Sequence, residues 1–173
     1  MTAGATGWRE PTSFIPLRWG TYRGRYLAGM TLIISGLIGL QGANNFTIFL
    51  LLWGTAAHAT GWLIMPAGGI RRVIVVVPCV AQIWLLLPGP QTVTGLAVPF
   101  ASWLLVRHRP PRSYLTLLLV VGTGVVLANL FHNYSDMPLA LSIGAAVVVG
   151  SAWLARYIAE IGRIPSKFAA PGK

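Results

Sequence analysis

The placement of the basic residues leaves few folds open to this chain. Six apolar stretches, at 26–40, 46–65, 73–87, 92–106, 114–131 and 139–158, are separated by short polar or Pro/Gly-rich breaks. All 13 Lys and Arg fall on alternate breaks or at the two ends. Arg9, Arg18, Arg23 and Arg25 precede the first stretch, and Arg71 and Arg72 follow the second. Arg107, Arg109 and Arg112 follow the fourth, while Arg156, Arg163, Lys167 and Lys173 close the chain. The breaks at 41–45, 88–91 and 132–138 contain none. Lys and Arg near helix ends resist translocation across a bilayer. The pattern therefore predicts an all-α integral membrane protein, a bundle of six transmembrane helices with both termini cytoplasmic, in a plasma membrane.

Composition agrees. Charged residues make up 9% of the chain, against about 25% in soluble domains. The net charge of +10 would suggest nucleic acid in a soluble protein; clustered between apolar stretches, it points to anionic lipid instead. Arg outnumbers Lys by 11 to 2, which resembles the usage of a GC-rich bacterium. The single Cys79 forms no internal disulfide and belongs to no metal-binding spacing. The first stretch ends without an A-x-A cleavage site, so the first helix is expected to be retained.

A helix rises about 1.5 Å per residue, and about 20 residues cross a hydrocarbon core of about 30 Å. The third and fourth stretches are short by that measure. They are read as full crossings that borrow flanking residues, with a re-entrant hairpin over 73–106, turning at Pro88-Gly89-Pro90, as the alternative. Residues 1–25 read as a basic and aromatic interfacial arm, with Trp19 and Tyr22 three residues apart and Tyr26 one turn further on. Residues 26–158 form the transmembrane domain, and 159–173 a cytoplasmic tail in which Arg156 and Glu160 can pair and Ile164-Pro165 stops the last helix. Arg18, Arg23, Arg25, Arg71, Arg72, Arg107, Arg109 and Arg112 are the expected contacts to anionic lipid.

Lipid gives no hydrophobic reward for joining helices, so packing depends on small residues. Candidates are Ser35 and Gly39 in the first helix, Gly54, Ala57 and Gly61 in the second, and Ser142, Ala146 and Gly150 in the sixth. The last set also offers a face to a partner subunit or a second copy. Intramembrane polar residues raise a functional question by default: His58 sits among small neighbours, and Gln82 follows Pro78 by four residues in a helix that Pro78 loosens. At the outer face Asn129, His132 and Asp136 form a candidate binding group, too few for a metal site.

No HExxH, Walker or G-x-S-x-G motif occurs, and the three carboxylates Glu10, Asp136 and Glu160 all lie outside the mid-membrane region. No catalytic residue or cofactor is assigned. The favoured reading is a non-enzymatic subunit, transport-associated or accessory, that binds a partner protein, lipid or small solute. The alternative is a membrane enzyme acting on a lipid or isoprenoid with a His acid–base group. In size, helix number and orientation the chain resembles the substrate-binding subunits of energy-coupling-factor vitamin transporters. That resemblance implies solute access from the outer face, among Asn129, His132 and Asp136, and a transporter partner on the small-residue stripes.

Overall fold

A computed structural model describes residues 19–161. The expectations for Arg18, for the start of the N-terminal arm and for the tail beyond Ile161 lie outside the described residues. Among those described the fold is all-helical: α1 (Tyr22–Gln41), α2 (Phe49–Ile64), α3 (Gly69–Leu85), α4 (Ala97–Val106), α5 (Leu117–Leu130) and α6 (Met137–Ile161). Short 3-10 segments, Pro90–Leu96, Pro111–Thr116 and Tyr134–Asp136, lead into the last three. Two continuous helical stretches, Pro111–Leu130 and Tyr134–Ile161, are long and apolar enough to cross a membrane, and Phe49–Ile64 is a shorter apolar helix.

Local chemistry sets the boundaries. Thr21 caps α1, its hydroxyl accepting from the Gly24 N–H at 3.1 Å, so the helix starts four residues before the apolar stretch and takes in Tyr22 and Arg25. The loop to α2 is an Asx turn: Asn44 Oδ1 accepts from the N–H groups of Phe46 (2.8 Å) and Thr47 (3.1 Å). Pro90 and Pro111 stand at the first positions of their 3-10 segments, where a missing N–H costs nothing.

α1 and α2 pack most intimately. A Cβ at Gly36 would lie 2.6 Å from the Gly54 carbonyl oxygen, and one at Gly54 2.7 Å from that of Gly36. Gly29 and Gly61 form a second reciprocal pair, at 2.9 and 2.7 Å. Each helix thus carries glycines seven residues apart, and antiparallel pairing matches Gly29 to Gly61 and Gly36 to Gly54. Of the predicted packing residues, Gly54, Ala57 and Gly61 are buried in this contact, and a Cβ at Gly39 would meet the Trp53 ring at 2.7 Å. Ser35 instead returns its hydroxyl to the Leu32 carbonyl of its own helix, and its neighbour Gly36 makes the contact.

The sixth helix turns a different face inward from the one expected. Its buried residues are Met137, Ala140, Gly144, Ser151, Ala155 and Ala159. Ser142, Ala146 and Gly150 are exposed, and a Cβ at Gly150 would meet nothing within 4 Å. Spacing alone cannot say which of several small-residue rows on a helix meets a neighbour. Two apolar cores result. One joins α4, α5, α6 and the Pro90–Leu96 segment around Phe100, Leu104 and Leu127; the other joins α2, α3 and the end of α4 around Trp62, Val75 and Val106. Much of the outer surface is apolar as well: Leu52, Val77, Leu118 and Trp153 are all exposed.

Candidate binding cleft

Between α1, α4 and α6 lies a cleft of ≈ 690 Å³, within the range of ligand sites. α1 packs chiefly on α2, and α6 on α5 and the segments flanking it, so α1 and α6 face each other across this space. Its walls are apolar, with Met30, Ile33 and Leu37 from α1, Phe100 from α4, and Val148 and Ala152 from α6. From Tyr26 to Leu37 it follows α1 for about 16 Å.

Two intramembrane candidates, His58 and Gln82, are brought together on its wall. His58 is 2% exposed. Trp62 Nε1–H donates to His58 Nε2 at 3.1 Å, so Nδ1 carries the imidazole proton and donates to the Ile33 carbonyl of α1 at 3.1 Å. Both ring nitrogens are thereby occupied within the bundle. Gln82 is also buried; its amide lies on Gly95, where a Cβ would overlap it, and its Nε2 has no hydrogen-bond partner among the described residues.

One end of the cleft is ringed by Tyr26, Arg107, Arg109, Arg156, Tyr157 and Glu160. The Arg107 guanidinium sits 4.6 Å from the Tyr26 ring centre and 5.4 Å from that of Trp103, and Arg109 lies 5.6 Å from Trp103. These are cation–π distances. Arg156 Nε donates to Glu160 Oε1 at 2.8 Å, one turn along α6. The arginines expected to contact lipid divide here. Arg23 and Arg112 are exposed. Arg25 is 5% exposed and donates from Nε to the Ile64 carbonyl at 3.0 Å. Arg72 donates to the Leu63 carbonyl and Arg71 to that of Leu105, both at 3.2 Å. Arg25 and Arg72 close carbonyls that the last turn of α2 leaves without a backbone partner, and Arg71 adds a second donor to the Leu105 carbonyl, which also accepts from the His108 N–H at 3.2 Å. Burial, reinforced by Arg71, holds His108 below the usual imidazole range.

Among the described residues no hydrogen bond or ion pair joins the outer-face candidates Asn129, His132 and Asp136 to one another. Asn129 Nδ2 donates to the Val125 carbonyl of its own helix at 2.7 Å. His132 is exposed and contributes its carbonyl to Gln91 Nε2 at 3.2 Å. Asp136 opens no cluster: no group of three or more His, Cys, Asp or Glu able to hold a metal occurs among the described residues. Sequence reasoning missed the cleft itself, along with Gly29 and Gly36; a seven-residue glycine spacing shared by two successive helices was the available signal for those two.

Comparison with protein-family models, with curated proteins and with solved structures finds no match to this chain.

Proposed function

We propose that this chain is a six-crossing protein of the plasma membrane, both ends cytoplasmic, that holds a lipid or another long apolar molecule in the cleft between α1, α4 and α6. It acts as a non-enzymatic subunit, transport-associated or accessory. The observation that carries the reading is the cleft: an apolar groove of ≈ 690 Å³ whose arginines, Arg107, Arg109 and Arg156, all stand at one end. That distribution suits an amphiphile and is a poor fit to a small polar solute.

Three features support membrane insertion. The exterior is apolar over most helices, where a water-soluble monomer rarely exposes large continuous patches. The turn between α3 and α4 reaches the far end of the two long helices, since Gln91 bonds the His132 carbonyl in the α5–α6 connection; this favours full crossings by α3 and α4 over a re-entrant hairpin. Finally, the breaks that hold every interhelical Arg meet at one end, through the bonds of Arg25, Arg71 and Arg72.

The position of His58 on the cleft wall favours a second reading, a lipid or isoprenoid enzyme using it as acid–base group. Its bonds to Trp62 and Ile33 weigh for a positioning role between α1 and α2.

The test is lipid extraction from protein purified in mild detergent, with Ala152→Phe as the cleft-filling variant. The wild type is expected to retain a defined lipid that the variant loses without unfolding. Equal lipid content in the two proteins would overturn the binding reading. A change in lipid products caused by His58→Gln in membranes would favour the enzyme.

A further inference from the structure

Of the two buried polar residues on the cleft wall, His58 and Gln82, one has hydrogen-bonding capacity to spare. His58 is spent, with Nε2 accepting from Trp62 and Nδ1 donating to the Ile33 carbonyl. Gln82 is 5% exposed and lines the cleft, and its Nε2 has no hydrogen-bond partner among the described residues. A buried amide left unpaired costs stability, and hydrocarbon supplies no water to relieve it. An apolar side chain would suit the place, as Ile83 and Leu86 do on the same helix. Fold stability therefore does not account for a glutamine here.

The surroundings make room for the amide and leave it neutral. It rests on Gly95, in the space where a side chain at that position would begin. Gly95 precedes α4 and Arg107 follows it, so the length of that ten-residue helix, about 15 Å, separates the amide from the arginine end. The residues that α3 and the start of α4 also bring to the cleft, Ile83, Leu86, Leu96, Pro99 and Phe100, are hydrocarbon. The amide is the far end of a flexible side chain, so rotation about its last bonds turns an N–H toward an occupant.

The chemistry of the partner follows. An N–H requires an acceptor. With the charged lining residues gathered at the other end, an ionised acceptor would stand uncompensated in hydrocarbon. A neutral carbonyl oxygen accepts without bringing a donor that itself needs a partner. We propose that Gln82 is the specificity-determining residue of the cleft, donating to a neutral carbonyl oxygen carried by an otherwise hydrocarbon ligand. This rests on the cleft being a site for long apolar molecules. The oxygen lies away from the arginine end, and the hydrocarbon fills the space between α1 and α6. A ring carbonyl, as in an alkyl quinone, and a glycerolipid ester are two sources of such an oxygen.

Thermal unfolding of the full chain in detergent, with ligand added to the micelles, tests this. Decyl phenyl ketone and undecylbenzene have equal length and differ only by the carbonyl. The ketone should protect the wild type at about fivefold lower mole fraction, the effect of one hydrogen bond. Gln82→Met should lose that difference and be protected equally by both. Without ligand the variant should unfold at no lower temperature than the wild type, since it gives up no bond. A structural amide would instead yield a variant that is destabilised or fails to fold, and that outcome overturns the proposal. So does equal protection of the wild type by the two compounds, a comparison that needs no variant, or a preference retained in Gln82→Met. Decylbenzoquinone and a diacylglycerol then distinguish the sources: stronger protection by the first supports a ring carbonyl, by the second an ester. If no compound protects, the cleft reading itself fails, and the assignment of Gln82 with it.

Discussion

Gly36 and Gly150 are both helical glycines, and their environments give them opposite roles. A methyl group at Gly36 would press on the Gly54 carbonyl and the His58 backbone nitrogen, at 2.6 and 2.7 Å. Gly36→Ala is therefore expected to destabilise the protein by roughly 1–3 kcal/mol, the usual cost of overpacking, despite the better helix propensity of alanine. At Gly150 nothing intervenes, so Gly150→Ala should gain roughly 0.5–1 kcal/mol. Thermal unfolding in detergent checks both, and a stabilised Gly36→Ala would refute the close helix contact. His108 gives a pH-dependent case. Its folded-state pKa is lowered by burial and by Arg71, so the unfolded chain takes up its proton first as pH falls. Stability is then complete above the ordinary imidazole value of about 6.5 and declines below it, until the folded form also protonates. His108 stands at φ 53°; His108→Asn, which tolerates this left-handed conformation, should flatten that decline in unfolding measured between neutral and acid pH.

The helices meet neighbours at their ends as well as along their faces. α2 ends against Arg25 and Arg72, one buried and the other partly exposed, each donating to a carbonyl of the last turn. Removing the buried donor should cost more. Arg25→Gln is expected to lower stability by roughly 1–2 kcal/mol, and Arg72→Gln by less than about 0.5 kcal/mol, since solvent screens the partly exposed group. Comparable losses in chemical unfolding would mean that burial is not what makes the Arg25 bond matter. The small-residue row Ser142, Ala146 and Gly150 was legible as a helical pattern, and α6 nevertheless buries Ala140, Gly144 and Ala155. Both rows satisfy the same spacing rule. Choosing between them requires knowing where α5 and the Pro90–Leu96 segment lie, which is nonlocal information.

For the molecule as a whole, the proposed six-crossing topology makes a sharp prediction. With Cys79 replaced by Ala, Asn133→Cys should react with an impermeant thiol reagent on intact cells. Arg112→Cys, exposed at the opposite end, should react only after permeabilisation. The reverse pattern would invert the orientation, and labelling of both from outside would defeat the full crossing of α5.

By itself the sequence determined the helical class, the approximate helix positions and the gathering of basic residues on alternate connections, because hydrophobicity and charge act residue by residue and can be summed along a chain. Tertiary structure alone decided which glycines touch, that Arg25 turns inward to a carbonyl, and that His58 is held at both nitrogens. It also decided that α1 and α6 stand apart to leave a cleft with Gln82 on its wall. Those outcomes depend on the distance between atoms remote in the chain, which composition and spacing do not encode.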